Sequence, residues 1–503
     1  MKLNAASGNG GSTGLSRAVQ WLAAGAAVFF AGLYFRAALP RVFYPYDLDF
    51  IEDGLLMAAL RVANGLPLFV PPNADFVPHV YMPLYSWLGG LLFRLAGPGF
   101  APLRALSLAS VLACSGLIFL IARRESGRNW LGLACAGLWL GGYRISGFWY
   151  ELARVDALFV ALVVAGLALG TPGQRPISNR RQVAAGLVLA LAFFTKQTGL
   201  VFGLGLGLYL WITIGRRAWP FGLSLTGLAL PPALALNALS GGWFFYYTVT
   251  IASASPLEIG RAVHFLRNEL FGLMAGLAVM ALGAGLLAVR GAGWRGVLHR
   301  PWLIWTVLAV AVSGLGRTSV GGNLNNLMPA YALLCLAPAL LQREWAAQPG
   351  LLPRWRGGLI AALILAQFAL GAYNPLRYVP TPAMHRAGGH LIDRLRAVDG
   401  EVLVEMHPYY AWLAGKSPSA QMATIWHARR RGSQPLPPDF VARIQGQYYA
   451  AIISDESLFE TEPDLLALLD AYYRPAGALG PDEAPATTTG LRVRPSRILV
   501  PRP

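Results

Sequence analysis

Long apolar runs separated by short basic connections dominate the first three quarters of the chain. They occupy residues 18–38, 105–122, 130–149, 157–170, 183–194, 199–215, 218–239, 270–289, 301–316, 327–341 and 357–373. Each predicts a membrane-crossing helix. Several fall short of the ~20 residues a lone helix needs, so polar groups at their ends must be shielded in a bundle. Residues 80–97, VYMPLYSWLGGLLFRLAG, form a further apolar stretch with aromatics at its start and Arg94 inside. That combination predicts a helix lying in the membrane interface. After Tyr373 the pattern changes. EVLVEM (401–406) and YYAAIIS (448–454) read as strands, whereas HLIDRLRAV and DLLALLDAYY have helical spacing. Alternating helix and strand predicts a small α/β domain with an irregular, Pro-rich final stretch. The expected fold class is an α-helical polytopic membrane protein. It has about 11 transmembrane helices plus an interfacial helix, with a small C-terminal α/β extracytoplasmic domain.

Composition supports lipid as the main solvent. Of 503 residues, 55% are apolar and 13% charged, against about 25% charged in ordinary soluble domains. Mean hydropathy is +0.48. These values exclude a disordered chain and a soluble globular enzyme. Cys114, Cys135 and Cys335 all lie within apolar stretches and read as small core residues, with no disulfide or metal framework.

The net charge of +17 is unevenly placed. Residues 1–373 hold 27 Lys+Arg and 11 Asp+Glu, while residues 374–503 hold 14 and 13. The nearly neutral tail offers no basic face, so nucleic acid is not an expected partner. One set of short connections, with Lys2 and Arg17, carries 16 Lys+Arg, and the opposite set carries six. The positive-inside rule then places the N-terminus in the cytoplasm and residues 374–503 outside. The first apolar run lacks a clear small-residue cleavage site and reads as a retained anchor. The expected organisation is a flexible Gly/Ser-rich segment 1–17, a transmembrane domain 18–373 with a first outer loop 39–104, and an outer domain 374–503.

The outer side collects the candidate chemistry. Asp47, Asp49, Glu52 and Asp53 fall within seven residues just after the first crossing. Each alone reads as a solvated loop carboxylate. Crowding raises some pKa values or recruits a cation, and either suits a base or a metal-assisted site. No metal ligand set stands out, and a divalent cation is compatible with the sequence without being required by it. Glu151-Leu-Ala-Arg154-Val-Asp156 follows on the same side, where Arg154 and Asp156 read either as a structural pair or as site groups. Lys196, in Thr195-Lys196-Gln197, sits in a tight hairpin at headgroup level. A snorkelling lysine accounts for it, and so does a cation that holds a lipid phosphate. Arg317, Asn323, Asn325 and Asn326 lead into an apolar run and read as helix capping or as donors to a polyhydroxylated or phosphorylated ligand. His79, Tyr81, Trp243, Tyr246, Tyr247 and His264 join this face, where an interfacial aromatic belt explains most of the rings.

The acidic first loop, Gly65, Tyr81-Met-Pro83-Leu84-Tyr85, Arg154-Val-Asp156, Thr195-Lys196-Gln197 and the Asn-rich stretch 316–330 occur in that order before a soluble tail. This layout resembles the GT-C class, the integral-membrane glycosyltransferases related to protein O-mannosyltransferases and aminoarabinose transferases. The resemblance implies a polyprenyl-phosphate-linked sugar donor and transfer to a glycan, lipid or protein acceptor on the outer face of the cytoplasmic membrane. It also implies an acidic residue after the first helix that activates or orients the acceptor. Here the family's Asp-Glu pair is replaced by Asp49-Phe-Ile-Glu52-Asp53, and Glu52 is the first candidate, followed by Asp49 and Asp53. Lys196 matches the family's phosphate-side lysine, with Arg154 and Arg317 as further phosphate-binding cations. Asp156, Tyr81, His79, Gln197, Asn323 and Asn326 are the expected substrate-binding residues. Direct displacement would invert the anomeric centre. No Gly-x-Gly-x-x-Gly fingerprint follows a strand, which fits a lipid-linked donor. Two other classes share these features: a polytopic transporter or flippase for lipid-linked glycans, and a non-catalytic assembly subunit. Transporters tend to show paired repeats with charges near mid-membrane, whereas these groups gather on one side.

Overall fold

The fold is seen in a computed structural model that describes residues 14–172, 176–348, 355–455 and 462–503. Most of the expected flexible N-terminus lies outside these residues, as do Arg175 and the stretch 349–354 of two basic connections. Helix α1 spans Gly14–Val42, and α2 spans Phe50–Ala63. Asp49 caps α2 by accepting from the Ile51 amide, and Glu52 and Asp53 occupy its first turn, where the helix dipole favours negative charge. Helix α3, Leu84–Ala96, stops at Gly97, which has φ +82°. One face buries Tyr85, Gly89, Gly90 and Phe93, and the other exposes Trp87, Leu91 and Leu95 at helical spacing.

Helices α4 (Phe100–Ser126), α5 (Asn129–Gly141), α6 (Val155–Gly170), α7 (Asn179–Thr195), α8 (Gly199–Ile214) and α9 (Trp219–Leu239) continue the bundle. Further helices cover Ala275–Val297, Pro301–Thr318, Ala337–Ala346 and Arg356–Leu370. Among the described residues five spans are long and apolar enough to cross a membrane, or six if the bent pair Arg356–Leu370 and Pro375–Ala397 counts as one. This is fewer than the eleven apolar runs suggest. Length is the reason: the 13 residues of α5 rise only about 20 Å, against a hydrocarbon core of about 30 Å.

The run 130–149 also departs from a simple helix. The Tyr331 ring packs against Gly142 so closely that a Cβ there would lie 1.8 Å from it. The chain leaves α5 at this point, and Gly147 and Phe148 take positive φ of 71° and 65°. Residues 142–154 therefore form an irregular segment inside the protein, with Tyr143, Trp149, Tyr150, Glu151 and Arg154 buried. This segment carries the site.

The C-terminal region contains the expected α/β unit. Strands β1 (Glu401–Val404), β2 (Tyr449–Asp455), β3 (Tyr473–Ala478) and β4 (Pro495–Pro501) form one sheet in the order β1-β2-β4-β3. The β1–β2 pair is parallel, and the other two are antiparallel. The final stretch is thus partly regular, contrary to expectation. The prolines of β4 stand only at its ends, so its interior amides remain free to pair on both sides. Pro475 sits in the edge strand β3 at a register shift, where a lost donor is tolerated. Tyr44, Tyr46 and Leu48 of the first loop share a core with Leu391, Val402, Val404, Ile453 and Ile498. Burying such side chains is worth about 1.5–3 kcal/mol each, which fixes the loop to the sheet.

Candidate functional site

Four short pieces of backbone meet beneath the C-terminal domain: the Asp49 cap, the irregular segment ending at Arg154, the α7–α8 hairpin, and the 3-10 turn Leu324–Leu327. Arg154 precedes α6 in an extended conformation, with φ −136° and ψ 154°. Lys196 ends α7 in the same way, with φ −152° and ψ 135°. Extended backbone at a helix end turns each side chain across to the neighbouring element instead of along its own helix.

Opposite charges alternate across the site. Arg154 donates to Asp49 Oδ1 at 2.7 Å and to the Tyr81 hydroxyl at 3.1 Å, and it approaches Asp156 Oδ2 at 3.4 Å. Lys196 Nζ donates to Asp156 Oδ1 at 2.8 Å and to Asn326 Oδ1 at 3.1 Å. Asn325 donates to the same Asp156 oxygen at 3.0 Å. The Trp149 indole donates to Asp49 Oδ2 at 3.0 Å, and the Arg154 guanidinium lies 5.1 Å from the Trp149 ring centroid. Side-chain exposure is 1% for Asp49 and Asp156, 7% for Arg154 and 15% for Lys196. The reachable end of the series is therefore the ammonium.

Burial raises the Asp49 pKa, and Arg154 opposes that shift only in part. Burial would lower the Arg154 pKa, but Tyr81, Asp49 and Asp156 more than offset it and keep the guanidinium charged. His79 is pushed down to about 3 by burial, with His427 and Arg154 adding to it, so its imidazole is neutral. Its Nε2 is buried against Gly54 and beside Gln421.

The other two carboxylates of the first-choice set serve the scaffold. Glu52 is fully buried, and its two oxygens accept from Arg104 Nε (2.8 Å), Arg104 Nη2 (2.7 Å), the Ala153 amide (2.6 Å) and the Leu48 amide (2.8 Å). Four donors saturate a carboxylate and leave no lone pair for an incoming hydroxyl. Asp53 accepts from the Tyr409 amide at 3.2 Å through both oxygens and so ties α2 to the C-terminal domain. Its pKa is raised by burial and by Asp47. Asp47 faces His407 Nδ1 at 2.8 Å and accepts from the Tyr410 hydroxyl, while His407 Nε2 faces Asp455 at 3.2 Å.

The remaining expected residues divide in the same way. Tyr81 and Asn326 reach the cluster. Gln197 donates to the carbonyls of Val80 (2.7 Å) and Thr248 (3.0 Å), and so clamps the segment that bears Tyr81. Asn323 caps the 3-10 turn by accepting from the Leu324 amide. Arg317 is bound to Glu269 and to the Gly322 carbonyl, in an ion pair of its own. Sequence reasoning passed over Arg41, which pairs with Glu151, and Arg104, which pairs with Glu52. Both stand near the ends of apolar helices, and an arginine there calls for a partner. Among the described residues no group of three or more His, Cys, Asp and Glu is arranged to hold a metal ion.

Residues 77–235 match the sequence model of the family described as dolichyl-phosphate-mannose-protein mannosyltransferase. That span holds Tyr81, Arg154, Asp156 and Lys196. No curated protein matches the chain. Among solved structures, ArnT from Cupriavidus metallidurans in the apo state superposes with a TM-score of 0.60 at 14% identity, covering 96% of this chain and 98% of that one. The same protein bound to undecaprenyl phosphate gives 0.59 at 14% identity, covering 94% and 97%. The apo oligosaccharyltransferase of Archaeoglobus fulgidus gives 0.51 at 12% identity, covering 90% of this chain and 73% of that one. At these identities the likeness is one of fold. With the family match over 77–235, it bears out the resemblance to GT-C glycosyltransferases.

Proposed function

We propose that this GT-C-fold membrane protein transfers a sugar from a polyprenyl-phosphate donor to an acceptor on the outer face of the cytoplasmic membrane. The observation that carries the reading is the series Asp49–Arg154–Asp156–Lys196, which sets a raised-pKa carboxylate at one end and a reachable ammonium at the other. Three of these residues lie inside the family match, and one solved relative of this fold is bound to undecaprenyl phosphate. The 16-to-6 distribution of Lys+Arg supports the outer placement of the site.

In this reading the donor phosphate docks on Lys196, whose partner Asp156 is already shared with Asn325. The acceptor hydroxyl attacks the anomeric carbon, a new C–O bond forms, and the bond from that carbon to the phosphate oxygen breaks. The electron pair of the broken bond goes to the phosphate, where Lys196 and Arg154 stabilise the added charge. The hydroxyl proton goes to Asp49. A single displacement of this kind inverts the anomeric centre. Asp49 takes the role in preference to Glu52 because Glu52 is saturated by Arg104 and two amides. Glu52, Asp53 and Arg317 act as positioning residues. Tyr81 and Asn326 stay beside the donor.

The test uses the full chain in nanodiscs with a polyprenyl-phosphate-linked sugar. Native mass spectrometry reads retained lipid phosphate, and chromatography reads released polyprenyl phosphate. The wild type should retain the lipid phosphate and Lys196→Met should lose it. Equal retention in both would overturn the reading.

A further inference from the structure

The two oxygens of Asp49 are not equivalent. Oδ1 accepts from Arg154 at 2.7 Å and from the Ile51 amide at 3.1 Å, so both of its lone pairs are in use. Among the described residues Oδ2 accepts only from the Trp149 indole, at 3.0 Å, and keeps one lone pair open. A proton that Asp49 takes from a hydroxyl therefore arrives at Oδ2. What stands around that oxygen decides how well Asp49 serves as a base.

Two residues from distant parts of the chain stand there. Trp149 is buried in the irregular segment, directly after Gly147 and Phe148, whose φ values are 71° and 65°. Non-glycine residues rarely adopt this left-handed backbone, and here the turn delivers the next side chain, Trp149, to Asp49. The indole is held between the Arg154 guanidinium, 5.1 Å from its ring centroid, and Gly490, where a Cβ would lie 3.1 Å from Trp149 Cζ2. Gly490 precedes β4 in the C-terminal domain. It takes φ 71° and passes so close to Asp49 that a Cβ would collide with Oδ2. Its neighbour Thr489 is pinned by Arg41, which donates to the threonine hydroxyl at 3.0 Å.

We propose that Trp149 and Gly490 are positioning residues for the base: the indole N–H holds the carboxylate by Oδ2, and the missing side chain at 490 leaves that oxygen room for this bond and for its open lone pair. The role of Asp49 as base rests on the glycosyltransferase reading, whereas the arrangement around Oδ2 does not depend on it. In the transfer step the acceptor O–H bond breaks as its oxygen joins the anomeric carbon, and the proton goes to Oδ2. The electron pair of the cleaved C–O bond leaves with the phosphate. Trp149 touches no reacting atom and acts through Asp49, by favouring the ionised carboxylate in a buried place. Burial opposes ionisation of Asp49, Arg154 favours it, and Glu52 on the same helix adds to the opposition. Residues 487–490, all threonine or glycine, bring no charge. Loss of the indole N–H should therefore move the titration of Asp49 to higher pH.

Infrared spectra of the full chain in phosphatidylcholine nanodiscs, recorded through a pH titration and differenced against Asp49→Asn, isolate the protonated Asp49 carboxyl with no acceptor present. Trp149→Phe keeps a ring beside Arg154 and loses the N–H. Its Asp49 midpoint should lie about one pH unit or more above wild type. Gly490→Ala should raise the midpoint too, because the new methyl displaces Oδ2 from the indole. The double variant should rise no further than Trp149→Phe, since both changes remove one bond. Undecaprenyl phosphate retention, read by native mass spectrometry, should equal wild type in Trp149→Phe. An unchanged midpoint in Trp149→Phe, an additive rise in the double variant, or loss of lipid retention in Trp149→Phe would each overturn the inference. If Gly490→Ala does not fold, Trp149→Phe decides alone. Equal lipid retention in wild type and Lys196→Met, with the midpoint shift intact, would instead remove the donor reading and leave the positioning of Asp49 standing.

Discussion

Glu52 and Asp49 stand on neighbouring positions around the first turn of α2, and each binds a buried arginine, yet their surroundings differ in kind. Around Glu52 every acceptor position is taken, and Arg104 is itself closed off by the carbonyls of Arg41 (2.8 Å), Tyr44 (2.7 Å) and Tyr46 (2.8 Å). Around Asp49 the charges run on through Arg154 and Asp156 to Lys196, whose side chain is the most exposed of the four. A closed pair holds the first loop in shape, because either partner left alone would be an uncompensated buried charge. An open series has somewhere to pass charge when a ligand arrives. Buried carboxylate next to arginine is common to both, so that pairing alone does not mark a site. The state of the remaining lone pairs does.

The largest expected effect breaks the open side of this comparison. Asp49→Asn keeps a side chain that caps α2 and should lower turnover by about 10²–10⁴-fold, with the melting temperature close to wild type. Steady-state release of polyprenyl phosphate checks it, and wild-type turnover would return the base to another carboxylate. Glu52→Gln tests the closed side. It should destabilise the protein by about 3–5 kcal/mol, because Arg104 is left buried without its counter-charge. Denaturation of the detergent-solubilised chain reads this loss, while turnover per folded molecule changes little. Lys196→Met comes next, with donor affinity weakened by about tenfold or more and expression unchanged.

The smallest effect sharpens the comparison at the C-terminal domain. Burial would lower the His407 pKa, but Asp47 and Asp455 outweigh it and raise the pKa above its usual value. Burial also raises the pKa of Asp53 and of Glu405. All three groups hold protons more tightly in the folded state. The stability His407 contributes is complete below about pH 6.5 and that of the two carboxyls below about pH 4, the unfolded values, and each declines as pH rises through the folded value. Thermal melting should therefore fall as pH rises above about 4, and further as it rises above about 6.5. The decline should be shallower in His407→Gln. An identical profile in that variant would show that the imidazole is not the group responsible.

The helical membrane part was legible because lipid imposes a long, one-sided constraint on residue choice. β1 and β2 were legible through their short apolar runs, whereas β4 was not, because its bounding prolines mask a pairing-competent interior. The early end of α5 was hidden for another reason. It depends on the Tyr331 ring resting on Gly142, a contact between residues far apart in sequence. Arg154, Asp156, Tyr81 and Lys196 stood out as polar groups beside apolar runs, and they meet in space. The ranking among Asp49, Glu52 and Asp53 could not be read, since it is decided by Arg104, Arg154 and Tyr409, which arrive from three other elements. Asn325 was visible only as one of several neighbouring asparagines until its bond to Asp156 separated it from them.

Strand β4 follows every other element in the chain, yet it pairs in the interior of the sheet, between β2 and β3. The segment leading into it crosses to the first loop, where the Thr488 and Thr489 amides donate to the Leu48 carbonyl at 3.0 and 2.9 Å, next to Asp49. The two ends of the sequence therefore close on the same few atoms. Contacts of such wide sequence separation form late, after the local helices, and synthesis delivers this segment after the helices have been made. The acidic loop is synthesised early but receives its final neighbours only when β4 docks. The surroundings of Asp49 are thus delayed in time as well as confined in space: its neighbours are complete only once β4 has paired.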